Sequence, residues 1–244
     1  MKTWTGRLEG RIALVTGASR GIGRAVACRF AAEGATVIAV ARTVGALEEL
    51  DDEIRALGRD NHAVLAPQDL AEHARIDEMA LAVYHRFGRL DVLVGNAATL
   101  GPLSPMQHVA PQDWNQVMAV NVTANFHLIR SFDPLLRQSD AGRAVFVTSG
   151  VATDVFPYWG VYATSKAALE MMVKVYAGEV TKTRIRVNLL DPGIVRTRMR
   201  VQAFPGEDPS RLPPPESVTG AFVELASPEC RHHGQIVRAY GQCD

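Results

Sequence analysis

Short apolar runs and longer amphipathic stretches alternate along most of the chain. Runs of strand length fall at residues 12–16, 36–41, 62–66, 92–95, 144–148 and 186–190. Segments with apolar residues at three- and four-residue spacing fall at 23–33, 44–57, 73–87, 111–137 and 162–180. A repeated strand-then-helix order specifies a parallel sheet, because each crossover returns the chain to start the next strand from the same end. The strands, Ile12-Ala13-Leu14-Val15-Thr16 among them, lack the in–out alternation of a half-exposed sheet and read as buried on both faces. The pattern predicts an α/β fold: a doubly wound Rossmann-type parallel sheet with helices on both faces. No internal repeat, low-complexity tract or composition break divides it, so residues 1–244 read as a single domain. Residues 196–215 depart from the pattern, with Pro205, Pro209, Pro213, Pro214 and Pro215 and no apolar periodicity. They read as a surface loop, and a loop of that length in a compact domain serves function.

Composition narrows the partners. Lys plus Arg number 26 and Asp plus Glu 26, so no net field draws the chain to a phosphate backbone or an anionic membrane. Neither nucleic acid nor membrane is an expected partner. Cys28, Cys230 and Cys243 stand at unrelated spacings, which fits a reducing compartment and not a disulfide framework. Cys230 with His232 and His233 lacks a second ligand pair at zinc-site spacing, so no metal is expected. The segment 1–10 has no apolar core of a signal peptide, and no apolar run reaches spanning length. A cytoplasmic location is the expectation.

Chemistry enters at the first strand-to-helix turn, Gly17-Ala18-Ser19-Arg20-Gly21-Ile22-Gly23. Glycines there let the backbone turn sharply and approach a pyrophosphate, whose charge is met by N–H groups at the positive end of the helix dipole. The second strand ends on Arg42 with no acid beside it in sequence. A guanidinium suits a ribose 2′-phosphate, and Arg20 adds a second cation, so NADP(H) is preferred and NAD(H) is the alternative. Farther along, Tyr162 and Lys166 stand at i, i+4 on one helix face. A cation beside the phenol is expected to lower its pKa into the range of general acid/base work. Ser149, at the end of the strand 144–148, is placed to donate to a substrate carbonyl oxygen.

Thr16 through Gly23 resembles the T-G-x-x-x-G-I-G signature of the short-chain dehydrogenase/reductase family, and the resemblance extends over nearly the whole chain. It implies one sheet carrying both cofactor and substrate sites. By this resemblance Gly17, Ser19, Arg20, Gly21, Ile22 and Gly23 hold the cofactor, with Asp69-Leu70 at the adenine and Asn96-Ala97 lining it. Pro192, Gly193, Ile194 and Thr197 would meet the nicotinamide carboxamide or the phosphates. Asn121, Ser149, Tyr162 and Lys166 would be the catalytic four. Asn121 there helps hold a water linking Lys166 to solvent, and Lys166 also holds the ribose hydroxyls. Two departures stand out: Gly95 replaces the first Asn of the family's N-N-A-G turn and Ala98 its Gly, a strained choice were Ala98 to need a positive φ.

The segment 188–209, with Trp159-Gly160-Val161-Tyr162, is similar to a bacterial branch of the family, the YciK-like oxidoreductases. The function implied is an oxidoreductase that interconverts a small-molecule carbonyl and a secondary alcohol, with Tyr162 as acid/base. A 3-oxoacyl-carrier-protein reductase is the enzymatic alternative, and a non-catalytic NADP(H)-binding scaffold the alternative of another class. The substrate pocket is expected between Thr99, Leu100, Gly150, Val151 and residues 156–159 and 199–204, with Arg196, Arg198 and Arg200 read as a solvated basic face. Family members pair through helices matching 111–137 and 162–180, so a homodimer or homotetramer is implied.

Overall fold

In the computed structural model, which describes residues 6–58 and 63–239, the apolar runs become seven parallel strands in the order β3-β2-β1-β4-β5-β6-β7. These are β1 (Ile12–Thr16), β2 (Thr36–Ala41), β3 (Val64–Pro67), β4 (Val92–Gly95), β5 (Arg143–Val147), β6 (Arg186–Asp191) and β7 (Ile236–Arg238). The chain winds outward from β1 to β3, then crosses back to lay β4 on the other side of β1, with Leu14 beside Leu93. This reversal of winding opens a crevice beyond the carboxyl ends of β1 and β4, where ligands of such sheets bind.

Neighbouring strand residues feed two separate cores. Val15, Val94, Val145 and Leu190 pack under α1 (Gly21–Ala32), α2 (Val44–Arg55) and α8 (Thr219–Ala226), around Phe30, Leu50 and Phe222. Leu14, Leu93, Phe146 and Leu189 pack on the other face under α3 (Ala74–Phe87), α5 (Ala124–Gln138) and α6 (Gly160–Glu179), around Ile76, Phe132 and Leu169. Both faces are therefore apolar, which is why the strands show no alternation. Each of these fully buried side chains contributes about 1.5–3 kcal/mol.

Three sequence expectations change. The helix expected over 111–137 is α4 (Pro111–Met118), a single π turn at Ala119–Thr123, and α5. A π turn keeps the helical apolar spacing on both sides, so periodicity does not reveal it. The proline-rich stretch is not all loop: it holds α7 (Arg198–Ala203) and two short 3₁₀ turns, Pro209–Arg211 and Pro215–Val218. Finally, α8 and β7 close the sheet beyond the elements read from the pattern. The third strand begins at Val64; His62, expected in it, and Cys243 lie outside the described residues. Among the described residues no helix is long and apolar enough to cross a membrane.

Candidate active site

The crevice is a cavity of about 690 Å³ running from Arg42 and Asp69 at one end to Trp159, Tyr162 and Ala203 at the other. Every residue assigned to the cofactor from the sequence lines it except Gly23, which lies beneath the turn. Gly17 and Gly21 take left-handed backbone conformations, φ +68 and +56. A Cβ on Gly23 would come within 2.5 Å of Asn96 Nδ2 and closer still to the Gly17 carbonyl, so helix and strand meet there only through glycine. No side chain caps the N-terminus of α1, which leaves the first-turn N–H groups facing the crevice. A long crevice, an uncapped helix start and two arginines fit a dinucleotide with an added phosphate. Arg42 has an acid beside it in space though not in sequence: its Nη1 lies 3.7 Å from Asp69 Oδ2. Both groups are substantially exposed, so the pair is weak and the guanidinium keeps donors to offer.

Thr16 knits the ends of β1 and β4. Its hydroxyl accepts from the backbone N–H of Asn96 and of Ala97 at 2.9 and 3.0 Å, and Asn96 Nδ2 returns a bond to the Thr16 carbonyl at 2.9 Å. Gly95 has a packing reason: a Cβ there would meet Asn125 Oδ1 at 2.5 Å and the Phe146 ring. Ala98 keeps a negative φ, and the positive φ falls at Gly101 instead. The strain considered for Ala98 does not arise.

Tyr162 and Lys166 share the buried face of α6 and both line the cavity. Ser149 sits in extended backbone just after β5, half-buried, and is not among the lining residues. Asn121 lies inside the π turn, fully buried. Its Oδ1 accepts the Thr99 N–H at 2.9 Å, and its Nδ2 donates to the Thr99 carbonyl and to Ser165 Oγ, each at 2.9 Å. The side chain is thus spent on joining the loop after β4 to α6, and its own carbonyl accepts from Asn125 Nδ2 at 2.8 Å.

The electrostatics reverse one expectation. Lys166 Nζ donates to the Val147 carbonyl at 2.7 Å and lies 5.7 Å from the Tyr162 ring centre. Burial pushes the Tyr162 phenol above its ordinary range, and Asp191 adds to the rise. Burial also draws the Lys166 ammonium down to about 8, against the pull of Glu170. Burial penalises the charged form of each group, and here it moves both toward the neutral form.

On the substrate side Thr99, Leu100, Trp159, Met199, Arg200 and Ala203 line the cavity, whereas Gly150, Val151 and residues 156–158 do not. Phe156 and Tyr158 are exposed beside it, Tyr158 with φ +74. Trp159 packs against Tyr162 and against Phe204 of the proline-rich stretch 196–215, the lid over this end of the cavity, ring centres 6.2 and 5.7 Å apart. Arg200 is not part of a solvated face: it binds Glu207 through two bonds of 2.6 and 2.7 Å and stacks 3.7 Å over Phe204. It is therefore committed to the lid and is a poor receptor for a carrier phosphate. Thr197 caps α7 by accepting from Arg200 N–H at 3.2 Å, which leaves its hydroxyl proton to donate. His232 faces Glu224 and Gln235, and His233 is bound to the backbone of Val187 and Ala177. The pattern reading missed Gln116, which lines the cavity from α4, and Asp191. A glutamine in an amphipathic helix carries no signal, whereas Asp191 directly before Pro192-Gly193 could have drawn notice.

The family model for short chain dehydrogenases matches residues 11–208. The chain is 40% identical over 225 residues to the uncharacterized oxidoreductase YciK of Escherichia coli K12, covering 92% of this chain and 89% of that one. A short chain dehydrogenase of Escherichia coli CFT073, solved in complex with NADPH, superposes with a TM-score of 0.91 at 39% identity over 97% of this chain and 99% of that one. One from Shigella flexneri 2a, in complex with NADP, gives 0.90 at 39% identity over 96% and 98%.

Proposed function

The chain belongs to the short-chain dehydrogenase family of oxidoreductases, and we propose that it uses NADP(H) in preference to NAD(H) to interconvert a small carbonyl compound and a secondary alcohol. The observation that carries this reading is that one continuous cavity is lined by the glycine turn and Arg42 at one end and by Tyr162 and Lys166 at the other. A phosphate-binding region and a proton-donating region thus share one ligand.

NADP(H), when bound, supplies or receives the hydride. Everything else falls to the protein. Arg20 and Arg42 hold the 2′-phosphate end through charge-assisted bonds, the glycine turn holds the pyrophosphate, and Pro192, Gly193, Ile194 and Thr197 fix the nicotinamide end. The NADP(H) complexes of similar proteins support the choice of cofactor. Ser149 donates its hydroxyl proton in a hydrogen bond to the substrate oxygen. Tyr162 gives its phenolic proton to that oxygen during reduction and takes it back during alcohol oxidation. Lys166, held near pH 8 by burial, titrates where it can restore that proton. Asn121 is a positioning residue, tying Thr99 to the Tyr162 helix through Ser165. The apolar wall of Leu100, Trp159 and Met199 suits a substrate with a hydrocarbon or ring body. Pairing with a second copy fits α5 and α6, which leave Phe126, Met171 and Val175 exposed.

Tyr162→Phe tests the reading, because it keeps the ring against Trp159 and removes only the proton. Screening ketones and alcohols by nicotinamide absorbance identifies a substrate. On it, turnover should fall by about 10²–10⁴-fold, while NADPH binding, read by fluorescence, persists. Undiminished turnover would refute the mechanism, and a protein that binds NADPH but turns over nothing in either form would favour the scaffold reading.

A further inference from the structure

Between Phe204 and Arg211 every residue of the lid is exposed except Glu207, which is half-buried. Its backbone N–H donates to the Phe204 carbonyl at 3.1 Å, closing a turn that returns the chain toward α7. There both carboxylate oxygens accept from Arg200, Oε2 from Nε at 2.6 Å and Oε1 from Nη2 at 2.7 Å. The neighbouring Asp208 takes no part: it accepts from Ser210 and meets Arg211 at 3.6 Å. Arg200 Cζ lies 3.7 Å over the Phe204 ring centre, Phe204 packs on Trp159, and Trp159 on Tyr162. The guanidinium is thus gripped from two directions, by a carboxylate at its edge and a ring on its face.

Arg200 also lines the cavity, on the side of Thr99, Leu100, Trp159, Met199 and Ala203, none of which carries a charge. The other cations at the cavity are placed differently. Arg20 and Arg42 stand at the phosphate end, and Lys166 is bonded to the Val147 carbonyl. Arg198, two residues back on α7 and so on the far side of that helix from Arg200, is exposed. An unpaired guanidinium in such a wall would attract a carboxylate or a phosphate. With Glu207 seated on it the local charge is zero, and an anion could bind only by displacing a tethered, bidentate carboxylate. A neutral ligand meets no such opposition, and the bonds to Glu207 use two of the five guanidinium N–H groups.

We propose that Glu207 is a specificity-determining residue: by neutralising Arg200 where it lines the cavity, it restricts the site to uncharged carbonyl and alcohol substrates with an apolar body and excludes those bearing a carboxylate or phosphate. The inference rests on the cavity being an oxidoreductase site for carbonyl compounds. Removing the carboxylate charge while keeping its shape should turn the same wall into an anion-binding one, because Phe204 still holds the guanidinium in place.

Glu207→Gln makes that change. The probes are para-acetylbenzoate and para-acetylbenzamide, aryl ketones of nearly one shape that differ in charge. Calorimetry gives their dissociation constants from the NADP⁺-loaded protein in wild type, in Glu207→Gln and in the double variant with Arg200→Gln. Wild type should favour the amide, Glu207→Gln should shift the ratio toward the benzoate by about 10-fold or more, as expected of a hydrogen bond to a charged group, and the double variant should return it. A lid merely loosened by the substitution would weaken both ligands alike and leave the ratio where it was, which overturns the proposal. So does a wild type that favours the benzoate, a Glu207→Gln protein that does not bind it, or a gain that survives in the double variant. Reduction of the ketones by NADPH is read separately in wild type and Tyr162→Phe: undiminished reduction in Tyr162→Phe overturns that proton donor and leaves the role of Glu207 to the binding ratio.

Discussion

Replacing Gly23 by alanine isolates the close approach of helix and strand at the phosphate turn. The new methyl would sit 2.5 Å from Asn96 Nδ2, 2.8 Å from the Gly17 carbonyl carbon and nearer still to its oxygen, where ordinary contact begins at 3.4 Å. Neither neighbour is free to retreat. Asn96 Nδ2 is bonded to the Thr16 carbonyl, and Gly17 already has Asn96 and the Ala97 Cα within 3.0 Å of its own Cβ position. Relief must come from moving α1 off β1, an overpacking cost of about 1–3 kcal/mol. In a chain of this length each kcal/mol lowers Tm by about 2–4 °C. The displacement also moves the first-turn N–H groups away from the diphosphate, so NADPH should bind more weakly than stability loss alone explains. Gly178→Ala is the internal control: it lies in the last turn of α6 with no atom within 4 Å, and alanine should leave stability unchanged or raise it by up to about 1 kcal/mol. Thermal melts without cofactor and fluorescence titration with NADPH read the two effects separately. A Gly23→Ala protein with wild-type Tm and wild-type NADPH affinity would refute the packing argument.

Two further outcomes follow from the charges. Arg20→Ala with Arg42→Ala should reduce kcat/KM for NADPH by about 10-fold or more, the worth of one or two hydrogen bonds to a charged group, and spare NADH; equal loss with both cofactors would show that neither arginine meets the 2′-phosphate. Lys166, lowered from 10.5 to about 8 by burial, makes stability depend on pH with a definite sign: between those values the unfolded chain holds a proton that the folded one has released, so stability rises with pH across that window. Urea melts of Lys166→Met should lack that rise, and an identical pH dependence in wild type and variant would refute the assignment.

The fold was legible because its parallel strands are sandwiched between two helix layers. Continuous apolar runs such as Val92-Leu93-Val94 are what strands buried on both faces require, and the spacing of Leu47, Leu50 and Ile54 is what one helix face requires. Local pattern failed where tertiary structure supplies the stability. The helix α8 is apolar almost throughout, with Phe222, Val223, Leu225 and Ala226 all buried, so it shows no contrast between faces. The strand β7 is three residues long and exists because β6 offers an edge, with Leu190 in register with Val237. The lid helix α7 is held by a Thr197 cap and by the Arg200–Glu207 pair, which spans a proline-bearing stretch that reads as loop.

At the site, residue identities were readable and their electrical states were not. Tyr162 and Lys166 at i, i+4 suggest a cation lowering a phenol's pKa, a relation that holds only if the ammonium faces the oxygen. Its direction is decided by the Val147 carbonyl, on a strand nineteen residues earlier in the chain. For Asn121 the resemblance implies a water-holding role, and what the sequence does not mark is that its side-chain amide bonds Thr99 and Ser165 across a π turn. Desolvation is a property of the assembled core, and in this core it acts on Tyr162 and Lys166 in the same sense, toward the neutral form of each. Once Tyr162 has given up its proton, transfer from the Lys166 ammonium to the phenolate would cancel both charges at once, so the burial that defeats the sequence expectation favours return of a proton to the phenol.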